Sequence, residues 1–342
     1  MKKIFLLSVL FLNLTISFAQ SGKELLTLDN YLIPVNKKGA VIGKIITRPG
    51  EKVTLNDPSN IFALNKESYI TLKKNISIND KSPEHFQITL QNNKGEKKIF
   101  VLVKDNFIRN KVIAHRGAWK NQDASQNSIK SLQKTIDLGC EAAEFDVWLS
   151  SDNTPILSHD PSVGGKKVEE TPADELFKIA LKDGDFVPSL KEYLLHIKGQ
   201  NKTRLVLEVK ASQKGKERCE AVADSSVQLV HRLGAQAWVD YITFNFDAAM
   251  RIRELDPTAN ILYLEADKSL EELKAAKISG IDYHFSHFEK DPDLVKKANA
   301  LNLKTNIWTV NKEDDMKTYI NMGLDYITTD EPELLLKLIE KQ

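Results

Sequence analysis

From Lys111 onward the chain repeats one rhythm, a short apolar run followed by an amphipathic segment, and this alternation narrows its possible folds more than any other feature. Strands read at VIAH (112 to 115), AAEFDVWL (142 to 149), RLVLEVK (204 to 210), YITFN (241 to 245), ILYLE (261 to 265), IDYHFS (281 to 286), TNIWTV (305 to 310) and DYITTD (325 to 330). Between them lie segments such as NSIKSLQKTIDLG, DAAMRIRELD and PDLVKKANALN, whose apolar residues recur at helical spacing, and PELLLKLIEKQ closes the chain. Eight strands with interleaved helices over about 230 residues predict a (β/α)8 TIM barrel. A doubly wound open sheet is the alternative, but no glycine-rich nucleotide loop follows the first strand.

Residues 20 to 110 behave differently. Short strand-like runs (YLIPV, AVIGKIIT, IFALN, YITLKK, HFQITLQN, KKIFVLVKDN) alternate with turn signals such as Asn-Asp-Pro and Asn-Lys-Gly, and no helical period is present. This pattern predicts a small all-β sandwich ahead of the barrel, with the barrel domain spanning 111 to 342. The sandwich loosely resembles a cadherin-like repeat, without the acidic calcium motifs of true cadherin repeats. The linker KDNFIRN carries no Gly or Pro, so the two domains are expected to touch.

Residues 1 to 19 read as an export signal: Lys2-Lys3, the apolar run Ile4 to Leu12, then Ser17-Phe18-Ala19 before a cut at Gln20. The expected location is therefore periplasmic or secreted. No Cys follows the apolar run to carry a lipid, and no later segment approaches the ~18 consecutive apolar residues of a membrane span. Lys and Arg total 48 against 47 Asp and Glu, a balance that offers no argument for nucleic acid or an anionic membrane as main partner. Cys140 and Cys219 are expected to be free, half-buried thiols, since two cysteines in a chain this long do not make a disulfide framework.

In a TIM barrel the chemistry lies at the C-terminal ends of the strands, and unusual residues collect there. His115-Arg116-Gly117 ends the first strand, Glu144 and Asp146 lie on the second, Glu208 and Lys210 on the third, and Trp308 on the seventh. Alternate residues of a strand share a face, so Glu144 and Asp146 point together, as do Val206, Glu208 and Lys210, while Leu205, Leu207 and Val209 face the helices. Three carboxylates then converge in one mouth. Like charges so confined must be protonated or share a cation, and oxygen-only ligands suit one Mg2+ or Ca2+ better than zinc. An E-x-D pair taken alone is more often simply solvated. Here the third strand and two histidines, His115 and His159, add the acid and base of proton-shuttling chemistry near neutral pH. Arg116 offers a planar donor fork for phosphate oxygens and Lys210 a point charge, so the substrate is expected to be anionic.

The set H-R-G at a first strand end, E-x-D, H-D thirteen residues after that Asp, and E-x-K resembles the glycerophosphodiester phosphodiesterase family, and IWTVN (307 to 311) and GLDYITTDEP (323 to 332) resemble its seventh- and eighth-strand signatures. The resemblance covers about residues 111 to 342. It implies a small-molecule glycerophosphodiester substrate cleaved to glycerol 3-phosphate and an alcohol. It also implies metal ligands at Glu144, Asp146 and Glu208, acid and base at His115 and His159, and phosphate contacts from Arg116 and Lys210. Where the family usually has P-E-N, this chain has Ser125-Gln126-Asn127, so Gln126 keeps the shape of that carboxylate without its charge.

Trp308, inward at a strand end, is expected to wall the substrate pocket. His284 and His287 are expected to be structural, and His85, His196 and His231 to be surface or packing residues. Two rivals accompany this reading: a related phospholipase acting on lipid or phosphoinositide headgroups, which would want an apolar rim, and a non-catalytic protein whose sandwich binds a partner. The partner of the sandwich is not legible in the sequence.

Overall fold

A computed structural model describes residues 25–341, so the export signal read at 1 to 19 lies outside the described residues. The barrel strands are Val112–Ala114, Ala142–Leu149, Arg204–Val209, Val239–Thr243, Ile261–Tyr263, Gly280–His284, Lys304–Trp308 and Tyr326–Thr329. Each pairs in parallel with the next, and the eighth returns to the first through Thr329 opposite Ala114, which closes the barrel and leaves no edge. The expected TIM barrel is therefore the fold observed. Among the described residues the second strand alone carries an addition, the antiparallel strand Pro155–Leu157.

Alternation decides what lies on either side of this sheet. Ile113, Ala142, Val206, Ile242 and Leu262 fill the interior. Ala143, Phe145, Val147, Leu205, Leu207 and Val209 join the core beneath the helices. The helix after the first strand, Ile129–Leu138, shows how local chemistry fixes the boundaries. Ser128 Oγ accepts the Ser131 amide at 2.9 Å and Ser131 Oγ accepts the Ser128 amide, a reciprocal cap. Gly139 ends the helix with φ 74°, a left-handed turn that favours glycine.

Residues 27 to 104 form two four-stranded sheets. One orders Thr27–Leu28, Val41–Ile46, Tyr69–Leu72 and Phe62–Leu64. The other orders Leu32–Ile33, Lys97–Lys104, His85–Asn92 and Val53–Asn56. Pairing is antiparallel except between Leu32–Ile33 and Lys97–Lys104. Phe62 of one sheet meets Phe86 of the other edge to face at 5.6 Å, within a buried core of Leu28, Ile70, Ile88 and Leu102.

This all-β unit rests on the N-terminal end of the barrel, opposite the mouth. The His85 ring stands edge-on to Trp238 at 5.1 Å. Asn201 Nδ2 donates to the Lys104 carbonyl at 2.7 Å, and Thr258 Oγ1 to the Leu28 carbonyl at 2.8 Å. Residues 201, 238 and 258 all precede the third, fourth and fifth barrel strands, which fixes the end that is covered. Cys140 and Cys219 are free, as expected, but fully rather than half buried, at 0% and 1% exposure. Burial pushes both thiols up from their ordinary range. Among the described residues no helix is long and apolar enough to cross a membrane.

Candidate active site

Strand register brings the carboxylates together. Asp146 lies opposite Glu208 on adjacent parallel strands, and Glu144, two residues earlier on the same face, lies opposite Val206. One oxygen from each of Glu144, Asp146 and Glu208 lies within 4.8 Å of the others, and all three side chains are buried. Burial, then Asp146 and Glu208, raise Glu144 well above the usual carboxylate range. Burial, then Asp146, push Glu208 up to about 7. Burial acts the same way on Asp146, yet Lys210, Asn127, His159 and Arg116 together hold it below its ordinary value.

Two cations answer these three acids. Lys210 Nζ lies 3.1 Å from Asp146 Oδ1 and 2.9 Å from Glu208 Oε1, and those acids raise its pKa against the effect of burial. Despite that proximity Glu208 Oε1 has no partner in hydrogen-bond geometry. Three buried carboxylates against two cations fit a hard divalent ion held by oxygen.

Arg116 sits in a left-handed backbone, φ 57°, unusual for a side-chain-bearing residue. Its amide donates to Glu144 Oε2 at 2.9 Å, which ties the first strand end to the second. Gly117 follows with φ 76°, and a Cβ there would lie 2.5 Å from Ser131 Oγ, so the turn requires glycine. The guanidinium gives Nη1 to Gln126 Oε1 at 2.7 Å, while Nε, 3.9 Å from Asp146, is buried without a hydrogen-bond partner among the described residues. Gln126 thus bonds Arg116 through a neutral oxygen.

The histidines are oriented by different acids. His115 Nδ1 lies 2.7 Å from Asp330 Oδ1, and His159 Nδ1 lies 2.8 Å from Asp160 Oδ1. Asp330 is itself fixed: its Oδ2 accepts Asn311 Nδ2 at 2.7 Å and its amide donates to Asn311 Oδ1 at 2.8 Å. Burial opposes ionisation of Asp330, but the His115 contact and Asn311 hold it below its ordinary pKa. Burial is the main cause that lowers His159, and Lys210 and Arg116 act with it against the pull of Asp146.

A cavity of about 610 Å³ opens over the first two strand ends, lined among others by Trp119, Lys120, Gln126, Asn127, His159 and Asp183. Asn127 joins it to the acidic cluster: its Nδ2 donates to Asp146 Oδ2 at 2.9 Å and its Oδ1 accepts the Asp146 amide at 3.1 Å. Trp308 does not line this cavity. Its Nε1 donates to the Asp282 carbonyl, and its ring meets Phe244 at 5.7 Å and His284 at 5.1 Å, over the fourth, sixth and seventh strands. His284 caps the short helix Phe285–Lys290, and the His287 ring packs against Tyr283. His196 bonds Gln133 and His231 pairs with Asp256.

Three site residues were invisible to motif reading. Asp330 and Asn311 sit inside runs noted only as strand signatures, and Asn127 inside a run noted only for Gln126. Polar residues at strand ends eight and seven were the available signal. The partner of Asp330, His115, lies 215 residues away.

The chain is similar to known proteins. The model of the glycerophosphoryl diester phosphodiesterase family matches residues 115–334. A glycerophosphodiester phosphodiesterase from Parabacteroides distasonis, of known crystal structure, is 39% identical with a TM-score of 0.66, covering 70% of this chain and 98% of that one. A phosphodiesterase from Oleispira antarctica, solved in complex with the product sn-glycerol-3-phosphate, is 26% identical with a TM-score of 0.60, covering 67% of this chain and 96% of that one. The glycerophosphodiester phosphodiesterase of Caldanaerobacter subterraneus subsp. tengcongensis is 26% identical over 243 residues, 67% of this chain and 98% of its own length.

Proposed function

The chain belongs to the glycerophosphoryl diester phosphodiesterase family, and we propose that it is an exported enzyme that hydrolyses glycerophosphodiesters to glycerol 3-phosphate and an alcohol. The observation that carries this reading is the convergence of Glu144, Asp146 and Glu208 within 4.8 Å beside two acid-oriented histidines. Glu144, Asp146 and Glu208 would hold one divalent ion, Mg2+ or Ca2+. Such an ion, when bound, supplies Lewis-acid polarisation of a phosphate oxygen.

The remaining work falls to the chain's own groups. Arg116, with a buried Nε that lacks a partner, and Lys210, already beside the acids, would bind the non-bridging phosphate oxygens. One of His115 and His159 takes the proton of the attacking hydroxyl or water, and the other donates one to the leaving alcohol oxygen; where a hydroxyl of the glycerol attacks, water then opens the cyclic phosphate to glycerol 3-phosphate. Asp330 accepts from Nδ1 of His115, so Nε2 is the nitrogen left for proton transfer. His159, held neutral by burial, can accept a proton near pH 7. The 610 Å³ cavity beside His159 would receive part of the diester, with Trp308 as an aromatic wall on the far sector of the mouth.

Release of glycerol 3-phosphate from a panel of soluble glycerophosphodiesters, in the presence of Mg2+ or Ca2+, tests the assignment. Turnover of at least one diester is expected, and no release from any of them by folded protein would refute it.

A further inference from the structure

The near balance of 48 basic against 47 acidic residues hides an uneven split. Residues 25 to 104 carry 13 Lys and Arg against 7 Asp and Glu, whereas residues 105 to 342 carry 32 against 39. The sandwich is therefore a basic module on an acidic barrel. Within it Glu51, Glu84 and Glu96 are paired with Lys94, Lys104 and Lys98. Ten basic residues are left to four acids.

Part of this excess gathers along one side of the sandwich. The turn Lys37-Lys38 lies against Lys74: the Gly39 amide donates to the Ile76 carbonyl at 3.0 Å, and a Cβ on Gly39 would lie 3.5 Å from the Lys74 carbonyl. The strand Val41–Ile46 continues from that turn, with Val41 opposite Thr71 and Lys44 opposite Tyr69. A bulge between Val41 and Gly43 turns Val41 and Lys44 to the same outer side, while Ile42 and Ile45 stay in the core. Lys37, Lys38, Lys44 and Lys74 are all exposed, Val41 is 53% exposed, and Lys44 Nζ stands 5.6 Å from the Tyr69 ring. Asp29, which accepts the Lys44 amide at 2.6 Å, offsets one of the four charges. The contacts with the barrel, at Leu28, His85 and Lys104, use other strands and leave this side open.

We propose that this side of the sandwich docks the protein on an anionic lipid bilayer and leaves the mouth free for soluble substrate. Charge complementarity selects an anionic partner. The four cations are all lysine, whose point charges and long apolar stems suit a headgroup layer, whereas protein interfaces are poor in lysine and favour arginine. Val41 and Tyr69, set among the lysines, offer apolar and aromatic surface to the headgroup boundary, which a purely charged polymer would leave unused. The sandwich lies at the barrel end opposite Glu144 and His115, so docking through it does not cover the site.

The test uses the chain from Gln20, because the apolar run Ile4 to Leu12 would itself enter a bilayer. It should sediment with vesicles of mixed phosphatidylglycerol and phosphatidylcholine at low salt and stay in solution with phosphatidylcholine alone. Salt at ~1 M, where the Debye length is about 3 Å, should release it. Lys37→Gln, Lys38→Gln and Lys74→Gln together should weaken binding roughly a hundredfold, at about fivefold per lysine. Val41→Ser should weaken it at least about twofold. Hydrolysis of a soluble diester should be unchanged in both variants, with circular dichroism as the folding control. No binding to the mixed vesicles at low salt, or equal binding by wild type and the triple variant, overturns the proposal. So does tighter binding to dextran sulfate than to vesicles with no effect of Val41→Ser, which would assign this side to a polyanionic polymer.

Discussion

Asp330 and His115 lie 215 residues apart in sequence and 2.7 Å apart in space, the carboxylate of the eighth strand end holding Nδ1 of the histidine that ends the first. Closure of the barrel makes them neighbours, since Thr329 pairs with Ala114 across the last seam. The contact fixes the imidazole tautomer and the direction of Nε2. Asp330→Asn should therefore lower kcat by about 10²-fold or more while the protein stays folded. Asn311→Ala, which frees Asp330, should cost less, about tenfold. Steady-state kinetics with circular dichroism as the folding control checks both, and a loss under threefold for Asp330→Asn contradicts an orienting role.

On the proposed mechanism the two histidines would divide acid from base. His115→Ala and His159→Ala should each lose about 10²- to 10⁴-fold in rate. With nitrophenol as the leaving group no proton need be donated, so the variant that lacks the acid should recover most of its rate. Equal losses on both substrate types in both variants would show that the labour is not divided.

A separate prediction concerns Asp282, buried inside the barrel with Oδ1 unpartnered. Burial pushes it from 3.8 up to about 7, so folding favours its protonated form. The sign follows: its contribution is fully present below pH 3.8 and is lost as pH rises through about 7. Asp282→Asn should therefore stabilise the protein at pH 8 by on the order of a few kcal/mol and by much less at pH 5. Urea unfolding at both pH values measures this, and an equal change at the two contradicts it.

Removal of the sandwich should cost stability and spare chemistry. Its contacts, His85 on Trp238 and Asn201 on Lys104, lie at the barrel end away from Glu144 and His115. A chain that starts near Asp105 would expose Trp238 and so should melt at lower temperature, with turnover on a small diester retained. Well-folded protein whose turnover falls more than about tenfold, roughly 1.4 kcal/mol of barrier, would show that the sandwich supports the site.

Much of this architecture was legible because a strand's period is strict. Once AAEFDVWL and RLVLEVK are read as strands, Glu144, Asp146 and Glu208 fall on one face with no further information, and the apolar residues between them fall on the other. The contact of Asp330 with His115 was not legible, since a predicted barrel sets the eighth strand beside the first but not which side chains meet across that seam. The strand Val53–Asn56 escaped because it is only four residues long and its apolar residues, Val53 and Leu55, are only partly buried, so its alternation is too brief to stand out. Residues 160 to 187 escaped for another reason. Their Val168, Ala173, Leu176 and Val187 pack on Trp148 and Ile156 as a satellite core too small to impose a period of its own.

The central claim is that Glu144, Asp146 and Glu208 hold an ion on which turnover depends, and exhaustive chelation tests it most directly. Release of glycerol 3-phosphate should stop on chelation and return on addition of Mg2+ or Ca2+, with elemental analysis of the active protein finding about one ion per chain. Full turnover by chelated protein in which no metal is found would contradict the account.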